Sequence, residues 1–328
     1  MKHIFIMNPV AGTRLARRMK RQIAKTCRRL RVDYHTHYTR SADDAPQYVR
    51  KLLDTHPEET YRIYAVGGDG TVSDLSGVVY GRENAELAVI PIGTGNDFTR
   101  NFGSPKEFCD IEDYINGSAI EVDAIRYNDS VSINVTNMGF DCEVVDMMER
   151  NRSKPLMNNS FSYTICVFMV LARMPKGHVR FVMEDGSVRE SRFLLSLFGN
   201  GAYYGGGYKA ASKADLQDGL LEWIEVPDSV TRRQFLGLVG MYKKGTLLDD
   251  RAKCEKIGIR YRRVRKITLE AMEPMKICVD GEIKDLTTWT VECLPRAIRF
   301  ALPKTLYDRF PGDKTLRAAQ PEERSVGT

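Results

Sequence analysis

What this chain lacks narrows its function before any motif is read. Its seven cysteines (27, 109, 142, 166, 254, 278 and 293) form no CxxC pair. An odd, scattered set argues against a disulfide framework and for a reducing compartment. The five histidines show no metal-ligand spacing. The most apolar run, 163–172, falls short of the ~20 residues that a membrane-spanning helix needs. The N-terminus, MKHIFIMNPVAG, lacks the long apolar stretch of a signal peptide and reads as a first strand. Neither a GxxxxGKS/T loop nor a GxGxxG fingerprint occurs, and no internal repeat is seen. A secreted disulfide scaffold, a helical membrane protein and the two commonest nucleotide-loop classes are thereby set aside.

What remains is an ordinary globular composition. The 328 residues are 42% hydrophobic and 28% charged, enough for ordinary cores and, as a soft prior, for two domains. The net charge of +6 is modest but uneven. Arg14, Arg17, Arg18, Lys20, Arg21, Lys25, Arg28, Arg29 and Arg31 fall in one segment with no acid among them. Its plain reading is a solvated helix face. Its functional reading is attraction to anions, where each cation near an anionic bilayer adds about 1 kcal/mol.

The first third alternates strand and helix. Residues 4–7 form a buried strand ending at Asn8-Pro9; an amphipathic helix follows with Leu15, Met19, Ile23, Cys27 and Leu30 at helical spacing. Strands at 34–38, 61–66 and 87–91 alternate with helices near 43–53 and after Thr71, which predicts a parallel sheet covered by helices. Beyond Val122 the texture changes. Strand-like segments at 130–136, 178–183, 192–198, 221–226, 266–270, 276–279 and 289–293 dominate, with helices expected at 142–150, 161–174 and 232–242. The expected architecture is α/β: an N-terminal parallel domain over 1–122, then a β-rich, antiparallel sandwich-like domain over 123–295. Residues 296–310 return to the first domain, 311–328 form a disordered tail, and the active site lies in the cleft between the domains.

Three glycine-containing turns fall at carboxyl ends of the first domain's strands: Asn8-Pro9-Val10-Ala11-Gly12, Gly67-Gly68-Asp69-Gly70-Thr71 and Gly93-Thr94-Gly95-Asn96-Asp97. Ligands bind at that edge of an open α/β sheet. Glycine lets backbone N–H groups approach a phosphate, and a following helix adds its positive end. Any one such turn is as well read as a tight connection. Three on one edge make that reading unattractive.

These residues also carry a resemblance. Gly67-Gly68-Asp69-Gly70-Thr71 resembles the GGDGT signature of diacylglycerol, sphingosine and NAD kinases and, more distantly, of phosphofructokinases. Gly93 to Arg100 resembles the GTGNDFAR stretch of the diacylglycerol kinase catalytic domain, and Asn8 to Gly12 its opening NPxAG segment. Further on, 214–221 is similar to the A-x-x-x-D-G-hydrophobic segment, and Asp280-Gly281-Glu282 to the DGE element. The likeness covers roughly residues 3–302. Thr99, Asp74 and Gln217 depart from it, standing for Ala, Glu and Asp.

The resemblance implies an ATP-dependent kinase that phosphorylates a lipid hydroxyl, with diacylglycerol as acceptor and Mg²⁺ as cofactor. ATP would lie over Asn8, Pro9, Val10, Ala11, Gly12, Gly67, Gly68, Gly70 and Thr71, bordered by Thr39, with Thr94 and Asn96 in the third loop. Asp69 would hold catalytic Mg²⁺, and Asp97 would bind acceptor hydroxyls or organise the site. Asp280 and Glu282 are the catalytic carboxylates; which is the base stays open, and an Asp-Gly dipeptide is also a plain hairpin turn. A structural Mg²⁺ would take the Asp218 carboxylate and the Asp215 and Leu220 carbonyls, with Gln217 removing one charge beside it. Tyr163, Val167 and Val170 read either as core or as an acyl-chain slot, and Tyr203 to Gly207 as a loop near the cleft. Expected partners are a nucleotide and a lipid presented at a membrane surface, visited transiently from the cytoplasm. No nucleic acid is expected, and a homodimer is left open. The rival readings are a sphingosine- or ceramide-type kinase, an NAD kinase, and a non-catalytic binding protein on the same fold.

Overall fold

The computed structural model describes residues 1–8, 13–151 and 162–316, with backbone alone at 13 and 162–164. Its first half is built on four parallel strands: β1 (Lys2–Met7), β2 (Tyr34–Tyr38), β3 (Tyr61–Gly67) and β4 (Ala85–Pro91), in the order β4-β3-β1-β2. All seven residues of β3 are buried, as expected of a strand covered on both faces. The connecting helices are α1 (Thr13–Leu30), α2 (Asp44–Thr55) and α3 (Asp69–Val79). On α1 the inner face is Ala16, Met19, Ile23 and Cys27, while Leu15, expected on that face, points to solvent. The shorter alanine sits nearer the sheet, which leaves the nine cations of that stretch free to stay outside.

After α4 (Ile111–Ile115) come the antiparallel elements: β5 (Ser118–Tyr127), β6 (Ser130–Ser132), β7 (Val135–Gly139), α5 (Phe140–Arg150), α6 (Ser162–Arg173), β8 (Gly177–Met183) and β9 (Val188–Gly199). They continue with β10 (Leu221–Pro227), α7 (Arg232–Lys244), α8 (Arg251–Ile257), β11 (Arg260–Val264), β12 (Lys266–Val279), β13 (Glu282–Leu302) and α9 (Lys304–Arg309). The second half packs as a sandwich-like unit with two apolar clusters. One has Phe181, Phe193, Trp223 and Trp289; the other lies beneath α5, α6 and α7 around Phe140, Leu195 and Phe235.

The two halves share one sheet. The 21-residue β13 pairs with β12 along its first part and with β5 further on, then meets β4 in parallel at Phe300 and Leu87. Ile298, Phe300, Ala301, Leu302 and Leu306 are buried in the same cluster as β1, β3 and β4. Two segments differ from expectation. The strand at 130–136 is interrupted at Ile133 and Asn134, and 266–279 is one strand with an irregularity between Glu270 and Met275. Of the tail expected to be disordered, 311–316 is described and anchored: Asp313 meets Arg296 at 2.7 Å and Gln217 through two hydrogen bonds of 2.8 Å.

Candidate active site

The second and third glycine loops lie back to back. A Cβ on Gly93 would come 2.5 Å from the Gly68 Cα, and one on Gly95 would come 2.5 Å from Asp69 Oδ2. Both glycines are therefore required by close approach. Gly67 caps β3, accepts N–H bonds from Ile92 and Gly93, and lies against the Thr71 side chain. Gly70, by contrast, faces open space. The Thr39 N–H bonds to the Met7 carbonyl at 3.1 Å, so Thr39 adjoins the start of the first loop. Asn8 ends the described part of that loop; Pro9, Val10, Ala11 and Gly12 lie outside the described residues. Thr94 is exposed on the third loop.

Carboxylates gather where α3 begins. Asp69, its first residue, accepts the Asp97 N–H at 2.8 Å, and burial raises its pKa above the usual range. Asp97 is pushed up to about 6, first by burial and then by the Asp69 charge. Its Oδ2 accepts the Gly206 N–H at 2.8 Å, so the Tyr203–Gly207 loop of the second half closes on the third glycine loop. Asn101 Oδ1 accepts the Ala202 N–H at 2.8 Å alongside, and Arg100 packs near Gly207. The Asn96 Oδ1 and Asp97 Oδ1 atoms are buried without a hydrogen-bond partner, although Arg100 Nε lies 3.4 Å from the latter. Unsatisfied hard oxygens beside a buried carboxylate fit an oxygen-seeking dication, whose remaining positions phosphate and water would fill.

The Asp-Gly-Glu segment forms the hairpin turn that its Asp-Gly dipeptide suggests. Asp280 and Gly281, with φ of 47° and 95°, join Val279 to Glu282 as a two-residue hairpin of the I′ kind. The Asp280 carboxylate reaches back to the break between β6 and β7 and accepts the N–H groups of Ile133 (3.0 Å), Asn134 (3.1 Å) and Val135 (2.9 Å). The Ser73 side chain of α3 lies beside the same carboxylate and favours its ionised form. Burial nonetheless leaves the Asp280 pKa raised. Ser73 stands one helical turn, about 6 Å, from Asp69, so α3 links the phosphate-loop edge to the hairpin. Glu282 is exposed and pairs with Lys284 at 3.2 Å. Its charge, after burial, helps push Asp74 up to about 6.

The remaining expected site does not fit a dication. Asp218 Oδ1 accepts the Leu220 N–H at 2.9 Å, while Oδ2 is ion-paired with the Arg263 guanidinium. Asp215 Oδ1 accepts the Gln217 N–H at 3.0 Å. The Gln217 amide donates to the carbonyls of Glu121 and Asp313, each at 2.8 Å. Among the described residues, no group of three or more His, Cys, Asp and Glu side chains gathers to hold a metal. Asp123, unremarked in the sequence, steadies this loop by accepting the Gly219 and Arg296 N–H groups at 2.7 Å each.

Sequence reasoning also missed Ser73, Asn101 and Asp141, and gave Arg100 no role; the Tyr203–Gly207 loop lies at the cleft as expected. Asp141 lines a small, partly open apolar pocket walled by Phe140, Val167, Leu195, Phe235, Leu238 and neighbours. Its carboxyl, pushed up to about 6 by burial, accepts the Tyr242 hydroxyl at 3.0 Å. The lining residue Tyr208 pairs with Tyr204, in the loop that touches Asp97. Only the apolar run around Val167 hinted at this cavity. Val170 is core, and the Tyr163 side chain lies outside the described residues.

Residues 2–127 match the family profile described as Diacylglycerol kinase catalytic domain, and 134–302 that of the YegS C-terminal NAD kinase beta sandwich-like domain. A protein of Alcanivorax borkumensis named Probable lipid kinase YegS-like is 30% identical, over 80% of this chain and 84% of that one. A Bacillus subtilis protein named Diacylglycerol kinase is 25% identical, over 91% of this chain and 95% of its own. A Bacillus anthracis crystal structure titled a putative diacylglycerol kinase shares the fold, with a TM-score of 0.71 at 23% identity over 91% and 94% of the two chains. With both halves matched in order, the chain belongs to the diacylglycerol kinase catalytic-domain family, in company with its YegS-like lipid kinases.

Proposed function

We propose that this protein transfers the γ-phosphoryl group of ATP to the hydroxyl of a lipid, with diacylglycerol as the acceptor. The observation that carries the reading is α3 itself. Its N-terminus bears Asp69 among the glycine loops, and one turn later its Ser73 touches the Asp280 carboxylate. Donor and acceptor groups thus lie along one short rigid element. Relatives named diacylglycerol kinase and lipid kinase support the substrate class.

The backbone of Gly67 to Thr71 and the positive end of α3 receive the phosphates. Asp69, Asp97 and the Asn96 carboxamide would hold Mg²⁺, which supplies neutralisation of phosphate charge as the bond to the leaving group breaks. Asp280 takes the acceptor's proton. A carboxylate has about four acceptor positions, and in Asp280 three are filled by fixed backbone N–H groups. The remaining position, beside the Ser73 side chain, takes the incoming hydroxyl. Burial raises the Asp280 pKa and so its strength as a base. Glu282 stays at the rim, tuning Asp74.

One observation favours a second reading: a buried carboxyl in an otherwise apolar cavity suits an acceptor with a polar group, as in a long-chain amino alcohol. Labelled ATP and Mg²⁺ with diacylglycerol, sphingosine, ceramide and NAD tests both. Label in phosphatidic acid is expected; label in the sphingosine product favours the second reading, and label in NADP alone defeats both.

A further inference from the structure

We propose that the outer faces of α6 and α7 form the surface by which this protein docks on an anionic phospholipid bilayer. The proposal rests on the lipid-acceptor reading above and assigns it an entry face.

The two helices are neighbours. Arg232, at the start of α7, donates to the Leu171 and Ala172 carbonyls at the end of α6, at 3.2 and 2.6 Å. Each has a well-formed inner side: Cys166, Val170 and Leu171 on α6, and Phe235 and Leu238 on α7, are buried in one cluster. The outer side is apolar as well. Ile165, Phe168 and Met169 are 36%, 60% and 44% exposed, and Leu236 is 50% exposed. Nine large hydrophobic residues are exposed among the described residues, and four of them fall on these two helices. Positions 165, 168 and 169 stand three and four apart, on one helical face. Single exposed apolar residues are ordinary, but a contiguous set marks a contact surface. On α7, Gly237 and Gly240 flank Leu236 with open space before them, which leaves a low relief.

Charge selects the partner. Arg173, Arg232, Arg233, Lys243 and Lys244 lie on these two helices, which contain no acidic residue in their full lengths. Arg173, Arg233 and Lys244 have no ion pair among the described residues. Apolar side chains on one face with a cationic border suit the interface of an anionic bilayer, where the apolar groups enter the acyl boundary and the cations meet phosphate. A neutral protein partner would leave those cations unmatched. The same helices wall the Asp141 cavity from within, through Val167, Phe235, Leu238 and Val239. A lipid leaving the bilayer between α6 and α7 therefore meets this apolar wall first.

The test uses the full chain and vesicles of phosphatidylcholine with or without phosphatidylglycerol, read by co-sedimentation. Wild type is expected to bind only the phosphatidylglycerol vesicles. Phe168→Glu/Met169→Glu and, separately, Arg173→Glu/Arg233→Glu are expected to weaken that binding at least tenfold. Far-UV circular dichroism and turnover of a water-soluble short-chain acceptor are expected to stay at wild-type level. Wild-type vesicle binding by both variants overturns the proposal. So does a dimer in analytical ultracentrifugation that Phe168→Glu/Met169→Glu dissolves, because the face is then an interface between copies. If the variants lose vesicle binding while wild type phosphorylates no lipid, the docking surface stands and the kinase reading falls.

Discussion

Asp97, from the first half of the chain, accepts the Gly206 N–H of the second half at 2.8 Å. The bond joins the two walls of the cleft through a carboxyl whose pKa is raised from 3.8 to about 6 by burial and by Asp69. Between about pH 4 and 6 the native state binds this proton and the unfolded chain does not. Stability from this group therefore rises as pH falls through that window and is lowest above pH 6. On the proposed role of Asp97, activity runs the opposite way, because the ionised form is the one that would hold Mg²⁺. Asp97→Asn should flatten the pH dependence of the melting temperature between pH 4 and 6 and raise it at pH 8. It should lower kcat at least a hundredfold, read by thermal unfolding beside a kinase assay.

Two glycines of neighbouring loops should respond in opposite ways. Gly93→Ala drives a methyl group against the Gly68 backbone and should destabilise by about 1–3 kcal/mol, as overpacking does. Gly70→Ala meets nothing in the protein and sits inside α3, so it should stabilise by about 0.5–1 kcal/mol. In the proposed nucleotide site the same methyl enters the phosphate space, so nucleotide affinity should fall more than tenfold. Urea denaturation and nucleotide titration together separate the two effects.

The hairpin carboxylates should differ sharply. On the proposed role, Asp280→Asn removes the proton acceptor and sets an amide NH₂ against at least one backbone N–H, so kcat should fall by about 10²–10⁴. Glu282→Gln, at an exposed rim position, should keep kcat within about tenfold and shift only the pH profile through Asp74. Equal losses in the two variants would return the choice of base to Glu282.

Legibility tracked the range of the interactions. The parallel strands and glycine loops were readable because β1, β3 and β4 are continuous buried runs and each loop follows its strand directly. The Asp-Gly-Glu hairpin was readable as a turn. Its partner was not, because Asp280 bonds residues 145 to 147 positions earlier. Those bonds break the strand expected over 130–136, since Ile133 and Asn134 give their N–H groups to a side chain instead of a ladder. Asp141 was silent for a related reason. Its apolar surroundings come from α5, α6, α7, β9 and β10, which no local pattern assembles.

Chelation should leave the resting fold unchanged. The loop over 215–220 is held by Gln217, Asp123 and Arg263. The melting temperature without nucleotide should therefore be the same in EDTA and in Mg²⁺. Gln217→Ala strands the Glu121 and Asp313 backbone groups and should cost about 1–3 kcal/mol in urea denaturation. A saturable rise in melting temperature with Mg²⁺, lost in Asp218→Ala, would restore a cation to this loop.

The course of β13 also constrains how the protein is made. Phe300, Leu302 and Leu306 complete an apolar cluster begun by Ile4, Phe5 and Ile6. A nascent chain emerges from its N-terminus, so the opening half waits on the ribosome with one side of its interior open until residue 306 is out. Ending translation before β13 is finished would leave that half without its closing wall, however much of the remainder had already been synthesised.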